Sequence, residues 1–540
     1  MPTRPRITSK ITQFRNAVIA QLLRPLRWFS PTTQLILGFV ILVALETLLL
    51  SRPLLGSKTI LVLALVFTTY FVLWKVIQYR GRIVRQRISK RRVFALVGTA
   101  ILFESMMIRF GFIVAGGLAS QSGTPPLNDV TTWSYAIPFA AATLLVAMLL
   151  DRMLGLIAGV IVSILLMLIA PQPTQLAAYS LVSCIAAAGA MKTYRERQTI
   201  TLAGLLVASA NCISVLALLS FSHQHARAAT YLISLGAAIS SGLLTIIFAS
   251  GGVPIYEPLF GILTDVRLLE LSNADLPLLS QLAMRAPGTN QHSHAVGQLA
   301  EDACRAIGTN GLLARVGALY HDIGKIAAPD HFVENQIRDN PHDRLRPQTS
   351  SKIIISHVTY GLRLAREIGL PEQVADFIPQ HHGTRTLHFF FRKAEVEAAA
   401  KGEAVNESEF RYPGPKPQFK EAAILMLADS CEAAARSLAY PDAENISAIV
   451  ERIFDAVRAD GQLDESGLKN SEIDSIREAL IKSLAAIYHP RIDYPGFNIE
   501  SEPSTINVAS KSQRTYEQAS QVPINASGEV EDEAVGDLQR

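Results

Sequence analysis

The residues with the clearest capacity for chemistry are an adjacent histidine and aspartate, His321 and Asp322, followed closely by Lys325. They end an apolar segment, residues 312–319, whose large side chains are spaced like one buried face of a helix. A buried carboxylate without a partner loses solvation worth on the order of several kcal/mol, or takes up a proton. The pair therefore predicts a cation at this place in the fold.

Four other segments place an imidazole or a carboxylate in an apolar helical pattern. These groups are His292, His357, His381, His382 and Asp429. Each alone has an ordinary explanation, such as a hydrogen-bonded core histidine or, for Asp429, a pair with Arg436. Together with the doublet, five helices would have to bury ligand-type groups for unrelated reasons, which favours one shared metal site. Imidazole and carboxylate without thiolate suit iron, manganese and similar transition ions, and the groups are numerous enough for two bridged ions.

Two such ions would support phosphoryl chemistry. Held roughly 3.5 to 4 Å apart, they can share a bridging water as hydroxide and clamp the oxygens of a phosphoryl group during in-line attack. Lys325 lies about one helical turn beyond His321 and could donate to a non-bridging phosphate oxygen. An exposed lysine near a helix C-terminus explains Lys325 almost as simply. The candidate catalytic residues are therefore His321, Asp322 and Lys325.

The elements that must position these groups are helices. From about 291 to 498 the chain alternates amphipathic helical patterns with Pro, Gly and Asn, and shows little of the period-two alternation typical of strands. The helix that carries His292 is expected to begin at a cap formed by Thr289 or Asn290. The predicted fold class is all-α, with this soluble helical domain in the second half of the chain.

Composition divides the 540 residues between two environments. Hydrophobic residues make up 49% and charged residues 18%, and the mean hydropathy of +0.26 is too high for a wholly soluble protein and too low for a pure transporter. The net charge of +4 is modest, and basic residues crowd beside apolar segments, so no nucleic acid polymer is expected as a partner. The four cysteines lack CxxC spacing and are expected in the core.

The membrane part is expected within residues 31–250. Eight apolar stretches there approach the roughly 20 residues needed to cross a bilayer as a helix. They are 34–51, 58–77, 93–117, 133–150, 152–170, 174–191, 199–221 and 228–250. The loop 80–92 is rich in arginine whereas 118–132 has no basic residue, which places the N-terminus and the C-terminal half in the cytoplasm, with the bundle in the inner (plasma) membrane. Short turns near Asp151 and Pro171 leave a re-entrant pair open.

Three further segments complete the predicted organisation. Residues 1–30 form a basic cytoplasmic segment suited to a lipid bilayer surface, 251–290 a juxtamembrane connector, and 499–540 a polar, acidic tail too poor in apolar surface to order. Two carboxylates inside the spans, Glu46 and Glu104, raise a transport hypothesis. Other polar residues that could line a transport path are scarce, so we set the transporter class aside.

Together the motifs resemble the HD-domain superfamily of metal-dependent phosphohydrolases, which is named for the His-Asp doublet. Neighbouring strings narrow the resemblance, and these are Ala286-Pro287-Gly288-Thr289, Tyr320-His321-Asp322-Ile323-Gly324-Lys325, Glu334-Asn335-Gln336, Gln380-His381-His382-Gly383-Thr384 and Arg411-Tyr412-Pro413-Gly414. They are similar to strings of the membrane-bound seven-transmembrane HD family, the PgpH-type phosphodiesterases. The resemblance covers roughly residues 58–498.

The resemblance implies a polytopic transmembrane helix bundle followed by a cytoplasmic HD domain that hydrolyses cyclic di-AMP to linear pApA. It implies two divalent ions, iron or manganese, bridged by Asp322. The ligands of the first would be His292, His321, Asp322 and Asp429, and those of the second Asp322, His357, His381 and His382. A homodimer is left open. Only about seven residues join the first two spans, where many members insert an extracellular domain, so sensing by such a domain is in doubt.

Two alternatives remain. HD-GYP phosphodiesterases, which act on cyclic di-GMP, share the doublet, but their Gly-Tyr-Pro loop should follow the paired histidines, where this chain has Gly383 and Thr384. A nucleotide-binding membrane receptor without turnover would have no need of seven metal-ligating side chains. The resemblance therefore favours a phosphodiesterase that cleaves cyclic di-AMP through a metal-bridging hydroxide.

Overall fold

The computed structural model describes residues 30–51, 57–79, 88–191, 198–221, 227–336, 339–400 and 402–488. Within these ranges the chain forms helices and turns without a strand, which confirms the all-α prediction. An isolated antiparallel bridge pairs Thr386 with Arg411. The predicted basic segment, except for its last residue, and the predicted tail 499–540 lie outside the described residues.

The first half of the described chain is a bundle of apolar helices. They are α1 (Pro31–Leu50), α2 (Ser57–Tyr79), α3 (Lys90–Gln121), α4 (Val130–Ser134), α5 (Ala141–Leu149), α6 (Arg152–Leu166), α7 (Pro173–Ala190), α8 (Gln198–Phe221) and α9 (Ala228–Phe260). Of these, α1, α2, α3, α8 and α9 are long and apolar enough to cross a membrane. The chain is accordingly a membrane protein, while the number of spans stays a prediction.

The bundle is apolar on its outside as well as in its core. Tyr70, Leu96 and Leu144 are fully buried, whereas Ile60 is 75% exposed and Phe110 is 68% exposed. Large apolar side chains facing outward over so wide a surface are typical of proteins that contact lipid. The outer surface therefore agrees with a bilayer as the surrounding medium.

The predicted span 133–150 is wrong, because this stretch forms the short helices α4 and α5 with Pro138 between them. A helix of nine residues is only roughly 14 Å long, less than half the apolar thickness of a bilayer. Pro138 supplies no backbone N–H for a continuous helix, so the helix is interrupted there. At the start of α5 the buried carboxylate of Glu104, on α3, accepts a hydrogen bond from the Ala142 amide at 2.9 Å. Glu104 thereby has a structural role.

Other polar side chains inside the bundle also join helices. Tyr70 donates to Glu46 at 3.4 Å, which links α2 to α1. Asn211 on α8 accepts from Ser183 on α7 and donates to Ser241 on α9 at 3.2 Å. Hydrogen bonds of this kind hold membrane helices together, since water is not available as an alternative partner.

Helix α9 is longer than its apolar pattern indicates, because it continues through residues 251–260, which were predicted to belong to the connector. Pro254 and Pro258 lie inside it, and each removes a backbone hydrogen bond. Packing compensates, since Val253 and Phe260 stay buried. The helix ends at Gly261 (φ 66°), whose carbonyl accepts a hydrogen bond from Gln373 Nε2 at 2.8 Å.

The second half is a helical domain with its own apolar core. Its helices are α10 (Asp265–Leu271), α11 (Pro277–Arg285), α12 (Pro287–Ala306), α13 (Gly311–His321), α14 (Pro347–Ile368), α15 (Glu372–Ala375), α16 (Phe377–Gln380), α17 (His388–Ala399), α18 (Lys420–Arg436), α19 (Ala443–Ala459) and α20 (Asn470–Ile487). Short 3₁₀ turns occupy Ile323–Ala327, Pro329–His331, Val333–Asn335, Pro341–Arg344 and Glu407–Phe410. Helix α18 is central, since residues 422–428 are fully buried on every side. The domain limits of the sequence analysis stay predictions.

Helix α12 begins at Pro287, ahead of the predicted cap at Thr289 or Asn290, so both of those residues lie within the helix. Proline is well suited to the first helical turn, because its missing N–H has no intrahelical partner there. His292 consequently lies in the second turn, on a helix that packs against α13, α18 and α20.

Gly324 permits a very close contact between two segments of the domain. A Cβ atom on Gly324 would lie 1.8 Å from the backbone oxygen of His357 and 2.8 Å from the backbone nitrogen of Gly361. The turn Ile323–Ala327 therefore touches α14 backbone to backbone, and this contact holds Asp322 beside His357.

We expect Gly324→Ala to lower the free energy of unfolding by about 1–3 kcal/mol, because backbone atoms have to move to make room for the methyl group. The midpoint of thermal unfolding in detergent measures this. Gly251→Ala is the matched control, since a Cβ there meets no atom within 4 Å and alanine favours the helix. Equal midpoints for the two variants would contradict the prediction.

Candidate metal centre

The seven side chains proposed as metal ligands meet in the second domain as two adjoining groups. One group contains His292, His321 and Asp429, and the other contains Asp322, His357, His381 and His382. Within each group the candidate ligand atoms all lie within 4.8 Å of one another. The structure thus brings together every histidine and carboxylate that the sequence pattern selected.

Asp322 lies between the two groups, with one carboxylate oxygen toward each. Its Oδ2 lies 3.1 Å from His321 Nε2 and 3.9 Å from His292 Nε2. Its Oδ1 lies 3.4 Å from His357 Nε2 and 3.6 Å from His381 Nε2. The side chain is almost completely buried. This is the position that a bridging ligand between two cations requires.

Three histidines are oriented in the same way by their own helices. Each donates Nδ1–H to the backbone carbonyl three residues earlier, at 2.6 Å for His321, 2.6 Å for His357 and 2.8 Å for His381. In the neutral ring this leaves the lone pair on Nε2, which points toward Asp322. A local backbone contact therefore prepares these rings as ligands.

His292 is oriented by a carboxylate instead. Its Nδ1 lies 2.5 Å from Glu432 Oε2, and its Nε2 lies 2.9 Å from Asp429 Oδ1. Glu432 also accepts hydrogen bonds from Arg436 and, at 3.3 Å, from the Tyr488 hydroxyl. A carboxylate behind a ligating histidine fixes the ring and increases its basicity.

Sequence reasoning missed Glu432 and assigned Arg436 as a possible partner of Asp429. In the structure Arg436 pairs with Glu432. The available signal was the spacing within α18, because Glu432 follows Asp429 by three residues and so lies on the same face.

Two buried atoms test whether these residues fit a metal ion. Within the described part of the chain, His321 Nε2 and Asp322 Oδ1 have no hydrogen-bond partner. The lone pair of His321 Nε2 instead faces a carboxylate oxygen at 3.1 Å, which places two acceptors against each other. Burying such atoms is costly unless a cation lies between them. The donor set of imidazole nitrogens and carboxylate oxygens fits a divalent metal.

The protonation states of the side chains in the centre agree with binding of a divalent metal ion. Burial lowers the pKa of His357 to about 3, and burial together with His381 and His357 lowers the pKa of His382, so both rings are neutral and free to bind a metal. Burial favours the neutral form of Asp322, but the ammonium group of Lys325, 2.7 Å from Oδ2, opposes it, and the pKa of that carboxyl lies well below its usual range. Asp322 is therefore ionised.

Lys325 is not the exposed lysine that the simpler interpretation expected. Its Nζ lies 2.7 Å from Asp322 Oδ2 and 2.7 Å from Glu334 Oε1, and its side chain is 12% exposed. Glu334 is held in turn by the hydroxyl of Thr289 at 2.9 Å, on the helix that carries His292. Lys325 thus lies at the centre, and its catalytic role stays a prediction.

We expect Glu432→Gln to weaken binding of divalent metal by about 10- to 100-fold, because the amide no longer holds the Nδ1–H of His292 with a full negative charge. Titration of the detergent-purified chain against a competing chelator measures the affinity. Glu451→Gln, an exposed site on α19, makes the same change away from the centre and should leave the affinity unaltered. An unchanged affinity in Glu432→Gln would show that this carboxylate has no part in holding the ligand.

Comparison with known proteins gives relatives that are similar in sequence over about two thirds of this chain. The chain is 41% identical over 368 residues to the cyclic-di-AMP phosphodiesterase PgpH of Bacillus subtilis (strain 168), covering 67% of this chain and 51% of that protein. It is 38% identical over 371 residues to PgpH of Listeria monocytogenes serotype 1/2a (strain 10403S), covering 68% and 51%. The chain therefore spans about half the length of the curated relatives it matches. The crystal structure of the L. monocytogenes PgpH HD domain in complex with cyclic-di-AMP is 46% identical over 41% of this chain and 100% of that chain, with a TM-score of 0.38.

Two family models match successive parts of the sequence. Residues 59–264 match the 7TM receptor with intracellular HD hydrolase, and residues 289–434 match the HD domain. The second match contains every residue of the candidate centre and implies binding of divalent metal, which agrees with the donor set described above. By both matches and by its relatives, the chain is similar to the seven-transmembrane HD-domain phosphohydrolase family over residues 59–264 and 289–434.

Proposed function

We propose that this protein is a membrane-anchored, metal-dependent phosphodiesterase that hydrolyses cyclic di-AMP to linear pApA. The observation that carries the proposal is the position of Asp322 between two ligand groups, with one oxygen toward each. The names of the relatives from B. subtilis and L. monocytogenes support cyclic di-AMP as the substrate.

The proposed centre holds two divalent ions, iron or manganese. His292, His321, Asp322 and Asp429 would bind the first, and Asp322, His357, His381 and His382 would bind the second. When bound, such a pair of ions activates water and stabilises the charge that develops on a phosphoryl group. The grouping of the ligand atoms supports this division.

The side chains around the centre have separable tasks in the proposed reaction. Burial opposes the charged form of Lys325, but the carboxylates of Asp322 and Glu334 outweigh it and raise the pKa of Lys325. Lys325 therefore stays protonated and can donate to a non-bridging oxygen of the phosphodiester. The ring of Tyr412 stacks on His382 with centroids 4.2 Å apart, which shields that ligand from water.

The proposed setting is the inner (plasma) membrane, with the N-terminus and the HD domain in the cytoplasm. Its divisions are the bundle within 31–250, a connector within 251–290 and the HD domain within 291–498. Support comes from the distribution of arginine and lysine in the loops and from the apolar outer surface of the bundle. A homodimer stays an open prediction.

We expect the full chain in detergent to hydrolyse cyclic di-AMP in the presence of manganese, and Asp322→Ala or His321→Ala to abolish turnover. Asp322→Asn keeps the size of the side chain while removing its charge, and should also be inactive. Product formation from cyclic di-AMP and cyclic di-GMP is measured for each, with the exposed Asp455→Ala as an active control. Robust activity of Asp322→Asn would refute the two-metal mechanism, and preference for cyclic di-GMP would refute the proposed substrate.

Removal of metal provides an independent prediction. A chelator should abolish turnover, and addition of manganese or iron after removal of the chelator should restore it, because the ligand atoms alone supply no means of activating water. Bound metal and activity are measured on the same sample. Binding of cyclic di-AMP without turnover in the metal-loaded protein would instead favour the receptor function.

A further inference from the structure

Arg385 is a half-buried cation beside the metal centre without a carboxylate partner. It follows His382 by three residues, and its Nη1 donates to Ser430 Oγ at 2.9 Å. Ser430 is the neighbour of Asp429 on α18. Among the residues that the structure describes, no carboxylate oxygen lies within 4.0 Å of the Arg385 guanidinium.

Three other half-buried cations in this domain are paired with acids, whereas Lys416 donates to the Gly461 carbonyl at 2.9 Å. Lys325 pairs with Asp322, Arg411 pairs with Glu407 at 2.8 Å, and Lys420 pairs with Glu472 at 2.5 Å. A guanidinium has five N–H donors and stays charged at any physiological pH. Removing it from water without a counter-charge is unfavourable, so an anion is expected next to Arg385.

The loop that carries Arg385 is fixed by a buried amide. Gln462 is fully buried; its Oε1 accepts from the Thr384 amide at 3.0 Å and its Nε2 donates to the Thr384 hydroxyl at 2.9 Å. Gly383 has φ of 55°, and a Cβ there would lie 2.2 Å from Gln462 Oε1. The fixed loop therefore sets the position of the Arg385 guanidinium, and no carboxylate of the described residues is needed to do so.

That place adjoins the part of the centre formed by His382. The backbone amide of Tyr412 donates to the carbonyl of Arg385 at 3.0 Å, and the ring of Tyr412 stacks on His382.

We propose that Arg385 binds the second phosphodiester of the cyclic dinucleotide while the metal centre holds the one that is cleaved. The inference rests on the proposed function, because a cyclic dinucleotide carries two phosphodiesters and a two-metal site can process only one at a time. The fork of N–H groups on a guanidinium matches two phosphate oxygens. Arg385 would therefore select substrates with a second phosphate at a fixed distance from the first.

The test compares Arg385→Gln with wild type on two substrates, cyclic di-AMP and bis(4-nitrophenyl) phosphate, which has a single phosphodiester. We expect KM for cyclic di-AMP to rise roughly 10- to 100-fold, with kcat changed less than about twofold and both constants for the small diester unchanged. Arg385→Lys keeps the positive charge but lacks the fork of N–H groups, so its KM for cyclic di-AMP should lie between those of wild type and Arg385→Gln. Arg392→Gln removes an exposed arginine of α17 and should behave as wild type.

Two results would overturn the inference. The first is an equal loss of kcat/KM on both substrates in Arg385→Gln, which would mean that Arg385 acts on the metal centre through Ser430. The second is no change of kcat/KM on either substrate.

Inhibition of bis(4-nitrophenyl) phosphate hydrolysis by cyclic di-AMP separates this inference from the proposed function. If wild type fails to cleave cyclic di-AMP but is inhibited by it, and Arg385→Gln is inhibited more weakly, the substrate assignment fails and the anion site stands. If cyclic di-AMP neither reacts with nor inhibits wild type, both fail.

Discussion

The structure of the second domain depends on the burial of one carboxylate, that of Asp322. An ionised group with almost no exposure is stable only where positive charge surrounds it, and the 2.7 Å contact with Lys325 supplies one such charge. The remaining oxygen, Oδ1, faces Nε2 of His357 and of His381, and in a neutral ring that nitrogen carries the lone pair when Nδ1–H is donated to the backbone. We therefore expect metal binding to stabilise the folded domain, because a cation would offset the negative charge and the unpaired acceptors that folding buries.

The centre was predictable from sequence because its ligands lie on strongly apolar helices. His321 and Asp429 each interrupt a run of buried residues, and His357 follows a run of half-buried isoleucines, residues 353–355. The all-α fold class follows from the same periodicity and is confirmed. The ligand grouping around Asp322 came from family resemblance, since spacing along the chain does not reveal which helices meet.

What the sequence did not predict depends on contacts between distant residues. Glu432 supports His292 across 140 residues, and Glu104 caps α5 across 38. The spacing of Glu432 from Asp429 indicates a shared helix face, but spacing along the chain does not indicate His292 as the partner of Glu432 or α5 as the partner of Glu104. The extension of α9 beyond residue 250 has a similar cause, because packing of Val253 and Phe260 outweighs the helix-breaking tendency of two prolines. Local propensity and tertiary packing disagree at these points, and packing decides.

The packing of α20 against α12 has a consequence for the order of events during synthesis. Helix α12 carries His292, yet one of its faces is covered by the last described helix, whose end supplies Tyr488 to Glu432. At roughly 5–20 residues per second, this covering helix leaves the ribosome about 10 to 40 seconds after His292 has been made. The nascent chain therefore contains most of the ligands before it can assemble them, and the centre is completed only after the residues of α20 and Tyr488 have been made.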